Sequence, residues 1–543
     1  MRRAAAACLL GAALPLAAAA DDAANPAWPD DAELEARGTR IGTVTVRDLP
    51  IFDQRIEGEK KAIYRLADRL HVDTRESVIE AQLLFRSGDL YSRHLLEETE
   101  RNLRQLRFIR EPEVRIAGYH DGVVDLEVIA HEVWTTNPGL SYGRSGGTDK
   151  TGVELEELNL LGFGKHLAFD YSTDVDRSSF AVRWHDPNMW GSRWRSDVNL
   201  RDSDDGSGQL LGVERPFYSL DTHWSAGVRL GRDETVEHVY RLGEEVAGYG
   251  QRLESGELRY GWSAGLRDGW VRRFTAGLRR DHADFEFAPD EIAPAALPLS
   301  RHLDYPWLRF EAIEDDFDTT RNKDQIARTE DFQFGTRYAI EVGWAGEAFG
   351  SDRNAAILRA EAARGFRLGD DHALFLDAAL SGRQESGDFR DALLTAGLRY
   401  YVPDGPKRTF YASLTAEAGH RLDADHERLL GGDSGLRGYP LRYQAGQGRA
   451  LLTLEQRFYT KYSLWRLADV GGAVFFDVGK TWGNSAFGPT ENQGLLKDIG
   501  FGLRLGSAKT ALANVLHIDV AFPLDGDRSI SSVQVLVQTK RSF

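Results

Sequence analysis

The chain has 543 residues, enough for two or more domains, with a formal net charge of −17 and an isoelectric point near 5.4. That acidity argues against a nucleic-acid binder that works by neutralising phosphates. Glycine supplies 55 residues, above its usual ~7%, and aromatics reach 10% with 12 Trp and 18 Tyr, which suits a large antiparallel sheet with tight turns and interfacial rings.

At the N-terminus, Met1-Arg2-Arg3 is a short basic stretch, followed by the apolar run Ala4 to Ala20 and an Ala18-Ala19-Ala20 exit before Asp21. This is the layout of a secretory signal peptide, residues 1–20, and it predicts removal from the mature chain. The one cysteine, Cys8, falls inside it with too little hydrophobic stretch ahead of it for a lipoprotein. The mature chain is then expected to have neither disulfides nor thiolate chemistry. No later segment offers the ~18 continuous apolar residues of a membrane helix. A mean hydropathy of −0.42 would suit a soluble protein, but a transmembrane barrel escapes that test because only alternate residues face lipid.

Residues 21–39 are acidic, Ala/Pro-rich and aperiodic, and read as a linker. Residues 40–133 read as a small α+β domain. Ile41 to Val46 is a β-branched strand, and Glu57 to Leu70 a charged, helix-compatible piece. Glu76 to Phe85 is helical and stopped by Ser87-Gly88. Ser92 can cap a second helix in which Leu96, Thr99, Leu103 and Leu106 recur at helical spacing. Val114 to Ile116 and Val123 to Ile129 are strands, joined through an Asp121-Gly122 turn.

From Trp134 to Phe543 the helical period vanishes and runs of about ten residues alternate in polarity between Gly/Asp/Asn/Pro turns. Phe410, Ala412, Leu414 and Ala416 alternate with Tyr411, Ser413, Thr415 and Glu417. Tyr338, Ile340, Val342 and Trp344 repeat the pattern, as do Leu516, Ile518, Val520 and Phe522 around His517 and Asp519. Roughly sixteen to twenty strands can be counted, depending on how the long loops 286–303 and 317–332 are treated. Acidic groups at 202–205, 314–316 and 330–331 read as decoration of outer loops.

The most distinctive stretch is Leu429-Leu430-Gly431-Gly432-Asp433-Ser434-Gly435-Leu436-Arg437-Gly438-Tyr439-Pro440. Its glycines permit positive φ and close packing around one guanidinium. It resembles the Arg-Gly-Tyr/Phe loop of the BamA/TamA superfamily of outer-membrane β-barrels, which insert or translocate polypeptides. Gly472 to Gly479, Asn159 to Gly164 with Asp186-Pro187, Leu454-Glu455-Gln456-Arg457-Phe458, Gly500 to Leu505 and His517 to Pro523 resemble barrel strands of the same superfamily. Leu83 to Asp89 with Glu98 to Arg104 resemble the helix pair of a POTRA domain.

The resemblance implies a periplasmic POTRA-like domain over 40–133 and an all-β transmembrane antiparallel barrel of about sixteen strands over 134–543. It also implies that the loop enters the lumen and pairs Arg437, flanked by Gly438 and Tyr439, with Asp477. Phe543 would be the terminal residue read by the barrel-assembly machinery, although Thr539 and Arg541 interrupt the apolar spacing before it. The implied partners are unfolded outer-membrane or secreted polypeptides at the POTRA edge, together with outer-membrane lipids and lipopolysaccharide, and no nucleic acid. The seam between about Gly139–Arg144 and Val533–Phe543 would open to template or release a strand. Superfamily members carry several POTRA domains, or two with a plugging helix, whereas here there is room for one. A surface-antigen or lipid-handling barrel and a two-partner exporter therefore stay open as alternatives.

An enzyme is the least favoured class. Gly139-Leu140-Ser141-Tyr142-Gly143 lacks the strand–turn–helix elbow of hydrolases. Gly432-Asp433-Ser434-Gly435 lies inside the Arg437 loop, and Gly479-Lys480-Thr481 has Val474 where a phosphate loop needs glycine. The 14 His form no His-x-x-x-His pair beside acids, so neither a metal nor a cofactor is expected.

Overall fold

A computed structural model describes residues 28–51, 71–369, 371–464, 468–488, 494–506, 509, 514–540 and 542. The signal peptide and the expected helix Glu57 to Leu70 lie outside the described residues.

The N-terminal domain is a three-stranded mixed sheet. Central strand β3 (Val123–Glu132) pairs in parallel with β1 (Arg40–Leu49) and antiparallel with β2 (Ile109–His120). Among the described residues, three helices accompany it: α1 (Asp31–Ala36), α2 (Glu76–Glu80) and α3 (Arg93–Gln105). In α3, Leu96, Thr99 and Leu103 recur every three or four residues and are buried, while Arg93 and Glu97 ion-pair on the outer face. The tight turn between β2 and β3 uses Asp121 at φ 49° and Gly122 at φ 76°, as the Asp-Gly pair predicts.

Two details differ from the sequence reading. The expected linker contains α1, because Asp30 caps its first turn by accepting from Glu33 N at 2.8 Å and Leu34 is buried in the domain core. One leucine in six residues is too weak a period to signal that helix. α2 stops at Glu80 instead of reaching Phe85, since the chain turns to bury Phe85 and lets Leu84 N donate to Thr99 Oγ1 at 3.2 Å.

The remainder forms a closed barrel of twenty antiparallel strands, from Thr136–Ser145 to Gln534–Lys540. The expected count of sixteen is therefore too low. A period of two cannot tell a wall strand from a hairpin outside the wall, and only backbone pairing decides it. Two hairpins do lie outside the wall: Phe317–Arg321 with Thr329–Gln333, and Arg428–Leu430 with Gln444–Gly446.

The wall alternates as predicted. Leu258, Tyr260 and Trp262, or Ile340, Val342 and Trp344, are exposed on the outside, whereas Glu341, Glu417, Asp477 and Asp519 are buried within. A strand of 24 residues (Glu244–Arg267) between two of 18 exceeds the ~9–11 residues that cross a bilayer, so this sector projects beyond the wall.

The N-terminal domain sits against one end of the barrel. Glu98 of α3 accepts from Leu220 N at 2.8 Å, and Arg104 holds Asp331 through two bonds of 2.8 Å. Of the acidic groups read as outer-loop decoration, 202–205 lie at the far end. Residues 314–316 and 330–331 lie instead at the domain end, where Asp316 binds Arg367 and Glu330 accepts from the backbone of Lys323 and Asp324.

Candidate functional site: a lumen closed at both ends and a weak strand seam

The connection 421–447 turns back from the far end into the lumen. The short ladder Arg428–Leu430/Gln444–Gly446 gives it a stem. At its tip, Gly435 has φ 110° and Gly438 lies so near the wall that a Cβ there would come within 2.6 Å of Asp498 Cβ. Gly438 N donates to Asp498 Oδ2 at 3.0 Å. The Tyr439 hydroxyl donates to Lys497 O at 2.7 Å and accepts from Lys497 N at 3.1 Å, so this ring is pinned to the strand Leu496–Gly506.

Arg437 then reaches the wall. Its Nε and Nη2 donate to the two Asp477 oxygens at 2.7 and 2.9 Å, and Nη1 donates to Glu455 Oε1 at 2.9 Å. The guanidinium carbon lies 3.3 Å from the centroid of the Phe475 ring, and Asp519 is 3.5 Å from Nη1. Arg457 donates to Glu455 at 3.0 Å and Arg504 to Asp519 at 2.5 Å. Three arginines thus meet three carboxylates, each no more than 4% exposed. Such a balanced group is stabilising mainly as a unit, because removing one member leaves its partners charged and unpaired.

The sequence reading brought Arg437, Gly438, Tyr439 and Asp477 together, and they do meet. It gave no role to Glu455, Arg457, Arg504, Asp519 or Asp498. Their signal was present as charge at lumen parity on successive strands, which alternation alone does not rank. Phe543 lies outside the described residues.

At the domain end, residues 315–336 connect two wall strands that pair directly with each other, Arg301–Glu314 and Arg337–Ala345. A few residues would span that gap. The segment instead forms its own hairpin, whose tip crosses the lumen. Asp324 accepts from the Tyr401 hydroxyl at 2.8 Å, Lys323 O accepts from Arg457 Nη1 at 2.6 Å, and Ile326 is buried among Tyr459, Ala473 and Val515. Arg457 therefore touches both closures.

The hairpin is also held by the N-terminal domain, through Arg104–Asp331, Arg321–Glu111 at 2.7 Å and His94–Asp315 at 3.1 Å. The hydrogen bond to Asp315 raises the His94 pKa, burial opposes it, and the charges of Asp315, Glu98 and Asp221 add to the rise.

The seam is the third feature. Among the described residues, first strand Thr136–Ser145 and last strand Gln534–Lys540 meet through one register pair, Arg144 with Val537. Every other neighbouring pair in the wall runs over at least seven positions, as at Trp307–Ile313 or Val515–Ala521. The Arg144 side chain bonds Asp149 of its own hairpin at 2.6 Å. The lumen loop also reaches this hairpin: a Cβ on Gly146 would lie 2.2 Å from Leu441 N.

Among the described residues, three groups bring together one histidine and two carboxylates, one ligand atom of each lying within 4.8 Å of the others: His71/Asp73/Glu132, His238/Glu245/Glu291 and Asp391/Asp423/His426. In the first, burial and then the charges of Glu132 and Asp73 push the neighbouring Asp48 up to about 8. In the third, Arg383 already occupies Asp423 with bonds of 2.7 and 2.8 Å. Charge compensation by protein groups accounts for that third arrangement.

No family model and no curated protein matches the sequence. Among solved structures, the chain is similar to BamA from Haemophilus ducreyi lacking POTRA domains 1–3, at 14% identity and a TM-score of 0.40 over 93% of this chain and 85% of that one. It is also similar to CdiB from Acinetobacter baumannii, at 13% identity and a TM-score of 0.43 over 93% of this chain and 74% of that one. CdiB from Escherichia coli gives 14% identity and a TM-score of 0.49 over 93% and 77%.

Proposed function

We propose that this protein is an outer-membrane barrel that assists the insertion or translocation of polypeptides without nucleotide hydrolysis. Its N-terminal domain is then a single POTRA-like module in the periplasm. The observation that carries the reading is the seam. Backbone hydrogen bonds close a barrel, and a lipid-facing strand edge without partners is strongly disfavoured. A junction of one register pair between the first and last strands is the place where the wall opens at least cost, and a client strand can complete either edge by pairing. Both lumen closures are compatible with this route, because a sideways exit does not need a free axial pore.

The module supplies the other half of the mechanism. β1 and β2 are the edge strands of its sheet, and among the described residues β1 is bonded on its outer side near Ile41, whose N and O meet Asp89 and Gly88. An extended polypeptide can add along the rest of that edge through main-chain bonds that demand few specific side chains. Arg437, Gly438, Tyr439 and Asp477 act as the lock that holds the lumen loop against the strands nearest the seam.

The test is a depletion experiment that compares outer-membrane proteomes with the protein, without it, and with Arg437→Ala. Loss of particular barrels or of one secreted protein, reproduced by the Arg437 change, supports the reading and names the client. An unchanged proteome with altered lipid composition or permeability sinks it and moves the protein to the lipid-handling class.

A further inference from the structure

His238 and Glu245 flank the tip of the hairpin that joins strands Trp224–Arg241 and Glu244–Arg267 at the far end. His238 stands directly opposite Gly248 in this ladder. In an unbroken register Glu245 would face Arg241, on the other side of the sheet from His238. The register slips instead. Val239 pairs with Ala247 and Tyr240 with Glu245, which leaves Val246 as a bulge. A bulge re-aims the side chains that follow it. Glu245 is brought to the face of His238, and His238 Nδ1 lies 2.9 Å from Glu245 Oε1.

The loop 288–300 carries a third donor. Its path is fixed by Gly248 N, which donates to Ile292 O at 2.9 Å, and by Leu297, which packs on the cluster of Val239, Ala247 and Tyr249. Glu291 crosses Gly248 so closely that a Cβ there would lie 2.8 Å from Glu291 Cγ. The glycine opposite His238 leaves room for a carboxylate from the loop. One ligand atom of each of the three residues then lies within 4.8 Å of the others.

Protein groups do not balance this arrangement as Arg383 balances Asp391/Asp423/His426. Among the described residues, neither Glu245 nor Glu291 has a Lys or Arg partner. The His238 side chain is 9% exposed, and its Nε2 is buried without a hydrogen-bond partner among the described residues. Two carboxylates held together repel, and a buried ring nitrogen without a partner is destabilising. A bound cation relieves the first, and an imidazole lone pair given to a metal relieves the second.

We propose that His238, Glu245 and Glu291 form a zinc-type divalent-cation site that fastens loop 288–300 to the hairpin. Two carboxylates and a neutral imidazole carry a total charge of about −2, which one divalent cation cancels. Imidazole in the donor set favours zinc over calcium or magnesium, which take oxygen ligands. Donors around a tetrahedral zinc ion stand roughly 3.3 Å apart, a spacing that small side-chain rotations reach from the present one. Water completes the fourth position. The hairpin also adjoins the lumen loop, since the Arg442 guanidinium lies 4.4 Å from the centroid of the Tyr240 ring. The cation therefore ties an outer loop to the far-end closure. No His-x-x-x-His pair announces it, because the donors come from two strands and a loop.

The test uses the full chain, purified without a histidine tag in a neutral detergent and stripped of metal with a chelator. Zinc chloride is titrated by calorimetry into wild type, His238→Gln and Glu291→Gln. Hydrogen exchange of residues 288–300 is followed with and without zinc. Saturable binding that weakens about tenfold or more in both variants is expected. Zinc should slow exchange in the loop of wild type and leave the loop of either variant unchanged. If His238→Gln fails to fold, Glu291→Gln decides, since its side chain sits in a loop. No zinc binding by wild type, equal binding by wild type and Glu291→Gln, or loop exchange indifferent to zinc would overturn the assignment.

Discussion

The two lumen closures differ in how their charges are kept. At the far end, Arg437 is held in a dry network in which every member is nearly inaccessible to water. At the domain end, the hairpin's ties to the N-terminal domain are half-solvated: the Arg321 and Glu111 side chains are 58% and 30% exposed, and those of His94 and Asp315 27% and 20%. Buried networks behave as all or none, whereas exposed pairs are worth about 0–1 kcal/mol each. The far-end loop is therefore a fixed part of the barrel, whereas the domain-end hairpin keeps its tip on Tyr401 and Arg457 and has exchangeable contacts with the N-terminal domain.

The sharpest way to break that contrast is Arg437→Ala, which strands Asp477 and Glu455. It should cost about 3–5 kcal/mol, read as a lower denaturant midpoint for the folded barrel. Arg437→Lys keeps the charge but loses the two-pronged bond to Asp477, so its cost should be intermediate. Tyr401→Phe removes the hydroxyl that donates to Asp324. It should cost about 1–3 kcal/mol and raise proteolysis within 315–336. Arg104→Ala should cost about 1 kcal/mol or less, visible as faster hydrogen exchange in the hairpin while the far-end loop is unaffected.

The smallest effect concerns pH. His94 is raised above its ordinary value of 6.5 by Asp315. A group raised in the folded state gives its full stabilisation below the ordinary pKa and loses it as pH climbs through the folded one. After correction for intrinsic exchange, residues 315–336 should be better protected at pH 6 than at pH 8. Asp315→Asn should remove the difference.

The barrel was legible in the sequence because an apolar outer face and a polar lumen impose a strict period of two. Trp344 outside and Glu341 inside are the same fact read twice. Arg437–Asp477 was legible for another reason: the resemblance of the Gly-rich loop to a lumen loop of known barrels implied an acid partner on a late strand, and Asp477 has lumen parity. The strand count was not legible, since Phe317–Arg321 and Thr329–Gln333 alternate as wall strands do and yet pair only with each other. Glu455 and Asp519 were hidden because their importance comes from convergence across several strands, which a linear pattern does not encode. Helix α1 was hidden because a single leucine fastens it.

The measurement that tests the central claim most directly is a disulfide across the seam. Arg144 and Val537 are register partners, and the only native cysteine is Cys8. The double variant Arg144→Cys/Val537→Cys should cross-link in an oxidising compartment without disturbing the wall. With the seam locked, client assembly in depleted cells should fall to the level of cells lacking the protein, and a reductant should restore it. Full activity from a quantitatively cross-linked barrel would contradict the account, because the wall would then never need to open.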